Sequence, residues 1–423
     1  MIAVRLLVLA LGVAMGSFYP FIAVILSDAG FTAGEIGLIA SIGAIGFTIA
    51  VPAWGHLADV RLGRPLTLRV CAIGAALAIG ALLAPWPGVV IAILFTIFWI
   101  FESSWQPLAD AITVTTIRGR DYARVRLLTS LAFAAATIIS GFIYDRTGYA
   151  LAFVIFAVAA LAMGAATLWI PDIARADLDA HGPARRPAAP SAARRRFRVR
   201  TWSMGSTGVA MRVAPRMRLV LVAVALLHVG IISGFTFLGL RIEALGGSPS
   251  DVALASGSSA AVEIPAMLSG MWVARRIGLR GLFIGSALIY SAALTSWIVL
   301  DQPALIILTR AATGIAFAGV VVGVVLTIAR LLPAELQATG QALYQTTAFG
   351  MAAIVANVIG GFLYDAVGHG AVFGMGALAA LGAAILGWFA FPDERGDAVM
   401  TGAAPAGSAE PDRRVSREPA GIG

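Results

Sequence analysis

The chain contains no lysine: all 30 of its basic residues are arginine. A phosphate-cradling loop of the G-x-x-x-x-G-K-S/T type therefore cannot be built, and ATP-driven work by this chain alone is excluded. Cysteine is nearly absent too. Cys71 stands alone in an apolar run, so no intrachain disulfide can form. Four histidines scattered over 423 residues give no cluster with metal-ligand spacing, which argues against a metalloenzyme and implies neither metal nor cofactor. Charged residues make up only 12% of the chain, against roughly 25% in soluble domains. The apolar runs do not alternate with polar residues over segments of about ten, so a membrane β-barrel is excluded as well.

What remains is hydrophobic: 59% of the residues, with a mean hydropathy of +0.90. Twelve apolar runs near bilayer-spanning length are expected, at about 3–27, 34–58, 66–84, 88–115, 127–144, 150–170, 218–240, 251–274, 281–300, 303–329, 342–363 and 371–391. Residues 1–27 lack a small-residue cleavage pattern and lead straight into further spans, so they read as a membrane helix, not a leader. The expected units are a six-helix bundle at 1–171, an Arg-, Ala- and Pro-rich linker at 172–217, a second bundle at 218–391 and a polar tail at 392–423.

Arginine placement predicts the orientation. Arg61, Arg64, Arg118, Arg120, Arg124, Arg126, Arg275, Arg276, Arg280 and Arg330 fall in short connections on one side; only Arg146 and Arg241 fall on the other. That positive-inside bias puts both termini and the linker in the cytoplasm. Within the linker, Arg194–Arg200 mixes basic and apolar residues. A disordered tether is favoured there over a lipid-binding segment. The net charge of +8 gives no other support for nucleic-acid binding.

The two halves repeat. Ile139–Phe153 aligns with Ile359–Phe373 at a constant offset of 220, with seven of fifteen positions identical, among them Gly141/Gly361, Tyr144/Tyr364, Asp145/Asp365 and Gly148/Gly368. Thr32-Ala-Gly-Glu35 opens span 2 as a capping box, and Ser248-Pro-Ser-Asp251 repeats the scheme at span 8. A parallel repeat of this kind places a solute site near the midplane, where the halves meet.

Charges deep within spans are candidates for chemistry because hydrocarbon tolerates them poorly. Glu102 in span 4 and Glu263 in span 8, just before Pro265, are candidates for carrying protons, with His228 in span 7 as a relay. Arg310 in span 10 is a candidate for binding an anionic group. The competing reading of each is a structural polar residue satisfied by a neighbouring helix. Asp110 and Arg126 flank the loop between spans 4 and 5 at similar depth, within reach of an ion pair that would pin those spans.

Between spans 2 and 3 lies Gly55-His-Leu-Ala-Asp59-Val-Arg61-Leu-Gly63-Arg64-Pro65, and a degraded copy, Gly270 to Gly278, has Ala274 in place of the acid. The first stretch resembles the G-x-x-x-D-R/K-x-G-R/K-R/K signature of the major facilitator superfamily. Gly55, Asp59, Gly63 and Arg64 match, the first basic residue is displaced to Arg61, and Pro65 replaces the last. The resemblance implies an all-α polytopic membrane protein with 12 transmembrane helices in two pseudo-symmetric six-helix bundles. It also implies a cytoplasmic gate, in which Gly55 lets span 2 approach span 11 while Asp59, Arg61 and Arg64 latch the halves together.

Pro107, Leu108 and Asp110, with Arg126, Ser130 and Phe133, further resemble the branch of phenylpropionate permeases and nucleoside:proton symporters, although Leu128, Thr129 and Ala132 depart from its pattern. That likeness implies substrate contacts from Arg126, Ser130 and Phe133, and proton coupling through Glu263. Ala134–Gly141 lacks the Pro of the exporter-type G-P-x-x-G-G element, which weighs against drug efflux.

The expectation is a monomeric secondary transporter in the inner membrane, working by alternating access and coupled to protons. Its substrate would be a small organic solute such as an organic acid or nucleoside, and its other partner the lipid bilayer. The alternatives are an exporter of the same fold and a transporter-like sensor without flux.

Overall fold

The computed structural model describes residues 2–117, 121–171 and 204–393, and among them every regular element is helical. Helices α1 (Ile2–Asp28), α2 (Ala33–Leu62), α3 (Arg64–Ala81), α4 (Gly88–Thr116), α5 (Asp121–Thr147) and α6 (Ala150–Trp169) form the first half. The second half begins with α7 (Arg216–Ala244), continues as one run over Pro249–Val299, and ends with α10 (Pro303–Leu331), α11 (Glu335–Val367) and α12 (His369–Ala390). The long run is two helices, α8 at 249–277 and α9 at 279–299. Gly278 breaks it with φ 78° and ψ 166°, a backbone region essentially closed to side chains.

Gly63, at the join of α2 and α3, has nearly the same dihedrals, φ 79° and ψ 154°. The degraded motif copy has lost its acid and kept its turn. Every positive-φ residue among those described is a glycine, and the six pair off across the halves as Gly30/Gly246, Gly63/Gly278 and Gly148/Gly368. Backbone geometry therefore preserves the repeat where side chains have drifted.

Short turns make successive helices antiparallel. One face, the terminal face, carries the described chain ends and the Gly63 and Gly278 turns; the far face carries the starts of α2 and α8. Within the first half, α1 lies flat on α5: a side chain at Gly12 would strike Ala132, and one at Gly16 would strike the Phe133 backbone. In the second half, α7 and α12 meet at Gly230 and Gly376. That half is filled by Val224, Phe283, Tyr290, Val324 and Tyr344.

Four features differ from the sequence expectation. A helix, Met204–Val213, occupies part of the stretch expected to be linker, and α7 begins at Arg216. The linker helix folds because Ala210 and Met211 pack with Met217, Ile328 and Leu332, so it belongs to the second half. Helix α4 is interrupted at Ser103–Ser104 and α1 at Tyr19–Phe21. Residues 172–203, the tail from 394 and Arg118 and Arg120 lie outside the described residues, as do the side chains of Arg124 and Arg126.

Candidate functional site

The breaks in α1 and α4 meet. Tyr19 opens the one and Glu102 ends the first segment of the other, and the tyrosine hydroxyl sits beside the carboxyl. Breaks of this kind mark solute sites in transporters, because they free backbone groups at membrane depth. Glu102 is only 6% exposed. Trp99 lies 5.7 Å from Tyr19 between ring centroids and over α2 at Gly43, where a Cβ would meet its indole at 2.7 Å. The indole N–H of Trp99 is buried with no hydrogen-bond partner among the described residues. Trp105, by contrast, is core. It stacks on Phe156 at 5.4 Å and 10°.

A second cluster occupies α8, α9 and α10. Gly314 admits the Ser259 backbone so closely that no side chain would fit between, and this brings Arg310 onto α8. The Arg310 guanidinium donates to Ser259 Oγ at 3.3 Å and to Thr313 Oγ1. Ser259 and Thr313 lie 3.4 Å apart, and Tyr290 of α9 faces Arg310 and Thr313 while feeling the charge of Glu263. Arg310 and Glu263, proposed for separate tasks from sequence, thus share one cluster.

His228 extends that cluster through α11. Its Nδ1 lies 2.9 Å from the Val224 carbonyl, which only accepts, so Nδ1 carries the proton. Nε2 is buried with no hydrogen-bond partner among the described residues, as is the Tyr344 hydroxyl, whose ring lies edge-on 5.8 Å from the imidazole. Tyr344 and Tyr290 are packed in the same buried cluster. His228, Tyr344 and Tyr290 thus lie on the same side of the second half as Arg310. Glu102 belongs to the other half.

Ser130 and Phe133 are half-buried on α5, beside the crossing with α1. The side chain of Arg126 falls outside what is described, and its expected pairing with Asp110 falls there with it; Asp110 accepts a hydrogen bond from Gln106 at 3.0 Å. Sequence reasoning missed Ser259, Thr313 and Tyr290. The first two carried a readable signal, since Ser259 is one turn before Glu263 and Thr313 one turn after Arg310, each on the same helix face. Tyr290 carried none.

The gate residues make no contact between the halves at Gly55 in this structure. Gly55 does not bring α2 against α11: a Cβ there would meet nothing within 4 Å. Asp59 is 62% exposed and pairs with Arg64 of its own turn at 3.3 Å. The physical reason is that the halves meet elsewhere. On the far face, Gly37 presses on the Asn357 carbonyl, Gly361 on Ala33 and Gly34, Gly141 on Pro249 and Ser250, and Gly257 on Ile138. Tyr149 adds a hydrogen bond to Glu243 at 2.6 Å across the same junction.

Two six-helix halves, closed against each other at one face, with a buried acid at Glu102 and a half-buried one at Glu263, define a membrane transporter fold. Residues 7–375 match the family described as the MFS_1 like family. The chain belongs to that family, within the major facilitator superfamily, and is a transporter, not an enzyme. It is 27% identical over 365 residues to a maltose permease of Geobacillus stearothermophilus, covering 85% of this chain and 86% of that one. Its fold matches the nucleoside transporter NupG with a TM-score of 0.75 at 14% identity, over 92% of this chain and 97% of that chain. It matches a D-xylose-proton symporter at 0.69 and 14% identity, over 93% and 97% respectively.

Proposed function

We propose that this transporter imports a small, hydroxylated, uncharged organic solute together with protons, by alternating access between its two halves. The observation that carries this reading is the cluster around Arg310. Its guanidinium already donates to Ser259 and Thr313, and both it and Glu263 act on Tyr290. An arginine so engaged, with an acid in the same cluster, offers little net charge to an anionic solute. Hydroxyls and indole N–H groups remain, and these suit a solute rich in hydroxyls. The maltose, nucleoside and xylose transporters among the relatives support the same class.

In this reading Glu102 and Glu263 exchange protons, His228 relays them, and Arg126, Ser130 and Phe133 contribute solute contacts from α5. The terminal face is cytoplasmic, following the arginine bias. The closed far face then makes this the inward-facing state, and Asp59, Arg61 and Arg64 engage only when the inner side shuts.

The test is a thermal-stability screen of purified protein against maltose, xylose, uridine and benzoate. A bound ligand stabilises by about 2.7 kcal/mol when present at 100 times its Kd. Stabilisation by a neutral hydroxylated compound, followed by its proton-driven uptake into proteoliposomes, is the expected result. Stabilisation by benzoate alone would overturn the substrate class, and uptake indifferent to the proton gradient would overturn the coupling.

A further inference from the structure

The repeated Gly-Phe-x-Tyr-Asp element, at Gly141–Asp145 and Gly361–Asp365, has no part in the solute site. Its parts nevertheless act in a fixed order. In each copy the glycine lies flat on the first turn of a helix belonging to the other half: Gly141 on Pro249 and Ser250 of α8, Gly361 on Ala33 and Gly34 of α2. The tyrosine turns back to its own half. Tyr144 donates to the Ser17 carbonyl of α1 at 2.8 Å, and Tyr364 stacks on Phe237 of α7 at 5.9 Å. The aspartate, one helical turn beyond the glycine, reaches the free backbone N–H groups that open the facing helix. Asp365 accepts from Ala33 at 3.0 Å and Gly34 at 2.8 Å, and Asp145 accepts from Ser250 at 2.9 Å.

A helix start has backbone donors without partners and a partial positive charge, so a carboxylate there is bound by hydrogen bonds and by the dipole together. In this structure those donors are satisfied across the boundary between the halves. Opening the far face must break the contacts and return both carboxylates and three N–H groups to water.

We propose that Asp145 and Asp365 are a two-point latch that holds the far face shut, and that the latch is lopsided, with Asp365 the stronger point. The asymmetry has a visible cause. The first residue of α8 is Pro249, which has no N–H, so Asp145 finds one donor where Asp365 finds two. The inference rests on the alternating-access reading above. It does not depend on the substrate, the coupling ion or which face is outside.

Each hydrogen bond that loses its charge assistance shifts the ratio of closed to open molecules by about fivefold. Asp145→Asn is therefore expected to shift that ratio about fivefold, Asp365→Asn about 25-fold, and the double variant by the product of the two. Spin labels on exposed far-face positions of the two halves, Leu83→Cys and Gln302→Cys in a Cys71→Ala background, report the ratio by distance measurement in detergent or nanodiscs without any solute.

A second variant leaves both carboxylates intact. Ala33→Pro removes one donor at a helix position that tolerates proline, making α2 resemble α8. It is expected to shift the ratio about fivefold. The proposal is upheld if the far-face distance lengthens in the order Asp365→Asn, then Asp145→Asn and Ala33→Pro. An unchanged ratio in the double variant and in Ala33→Pro would overturn the latch while leaving alternating access standing. A single fixed distance in every protein, wild type included, would overturn both.

Discussion

Two glycines with the same crowding should behave differently when filled. Gly16 lies between α1 and α5 of one half, and Gly361 lies between α11 and α2 of opposite halves. A Cβ at Gly16 would stand 2.9 Å from the Phe133 Cα, and one at Gly361 would stand 3.0 Å from the Gly34 Cα. In both cases the neighbour is backbone, which cannot swing aside. Overpacking of this kind costs about 1–3 kcal/mol.

In Gly16→Ala the cost falls on every conformation, because α1 and α5 move together. It should appear as a lower melting temperature with an unchanged ratio of conformers. In Gly361→Ala the cost falls only on the far-face-closed state, so the same energy should move the ratio toward the open state by about 5- to 150-fold, with little loss of melting temperature. The assay pairs a thermal melt with the far-face distance measurement. If Gly361→Ala melts as early as Gly16→Ala and keeps the wild-type ratio, the junction is structural packing and the reasoning fails.

Three further outcomes are expected. Alanine at Gly63 or Gly278 should cost about 1–3 kcal/mol at each site, because both hold φ near 78° with extended ψ; denaturation of the single and double variants checks it, and additive losses are expected from two separate turns. Asp59→Asn should leave stability within about 1 kcal/mol, since the Arg64 pair is largely solvated, yet slow transport without weakening solute binding; a melt with initial-rate uptake and a binding titration separates the two effects. Arg310→Lys should fold and fail to transport, because an ammonium cannot hold Ser259 and Thr313 in the geometry of the guanidinium fork; an unchanged uptake rate would remove Arg310 from the site.

The architecture was legible because the membrane constrains it so tightly. Runs of about twenty apolar residues have few alternatives to spanning helices, and the Asp145/Asp365 repeat fixed the number of halves. Glu102, Glu263, His228 and Arg310 stood out because each is a polar or charged residue in an apolar run. What stayed hidden was partnership. Tyr290 is one tyrosine in an apolar span and gives no sign that it faces Arg310. Asp145 and Asp365 read only as a repeat, because their partners are backbone N–H groups, which every sequence has and none displays.

The contact expected at Gly55 was not legible as belonging to one state or another. A motif names the residues of a contact that forms in one state, and the junction closed here is at the other face. The breaks at Tyr19 and Ser103–Ser104 depend on how α1 and α4 meet, which local propensity does not encode.

Solute movement is proposed to be coupled to protons through Glu102 and Glu263. The most direct measurement compares wild type with Glu263→Gln in proteoliposomes, using the solute that stabilises the protein. It follows accumulation driven by an imposed proton gradient alongside solute exchange at equal pH. The account predicts that Glu263→Gln exchanges solute but no longer accumulates it. Accumulation at the wild-type level in that variant would contradict it.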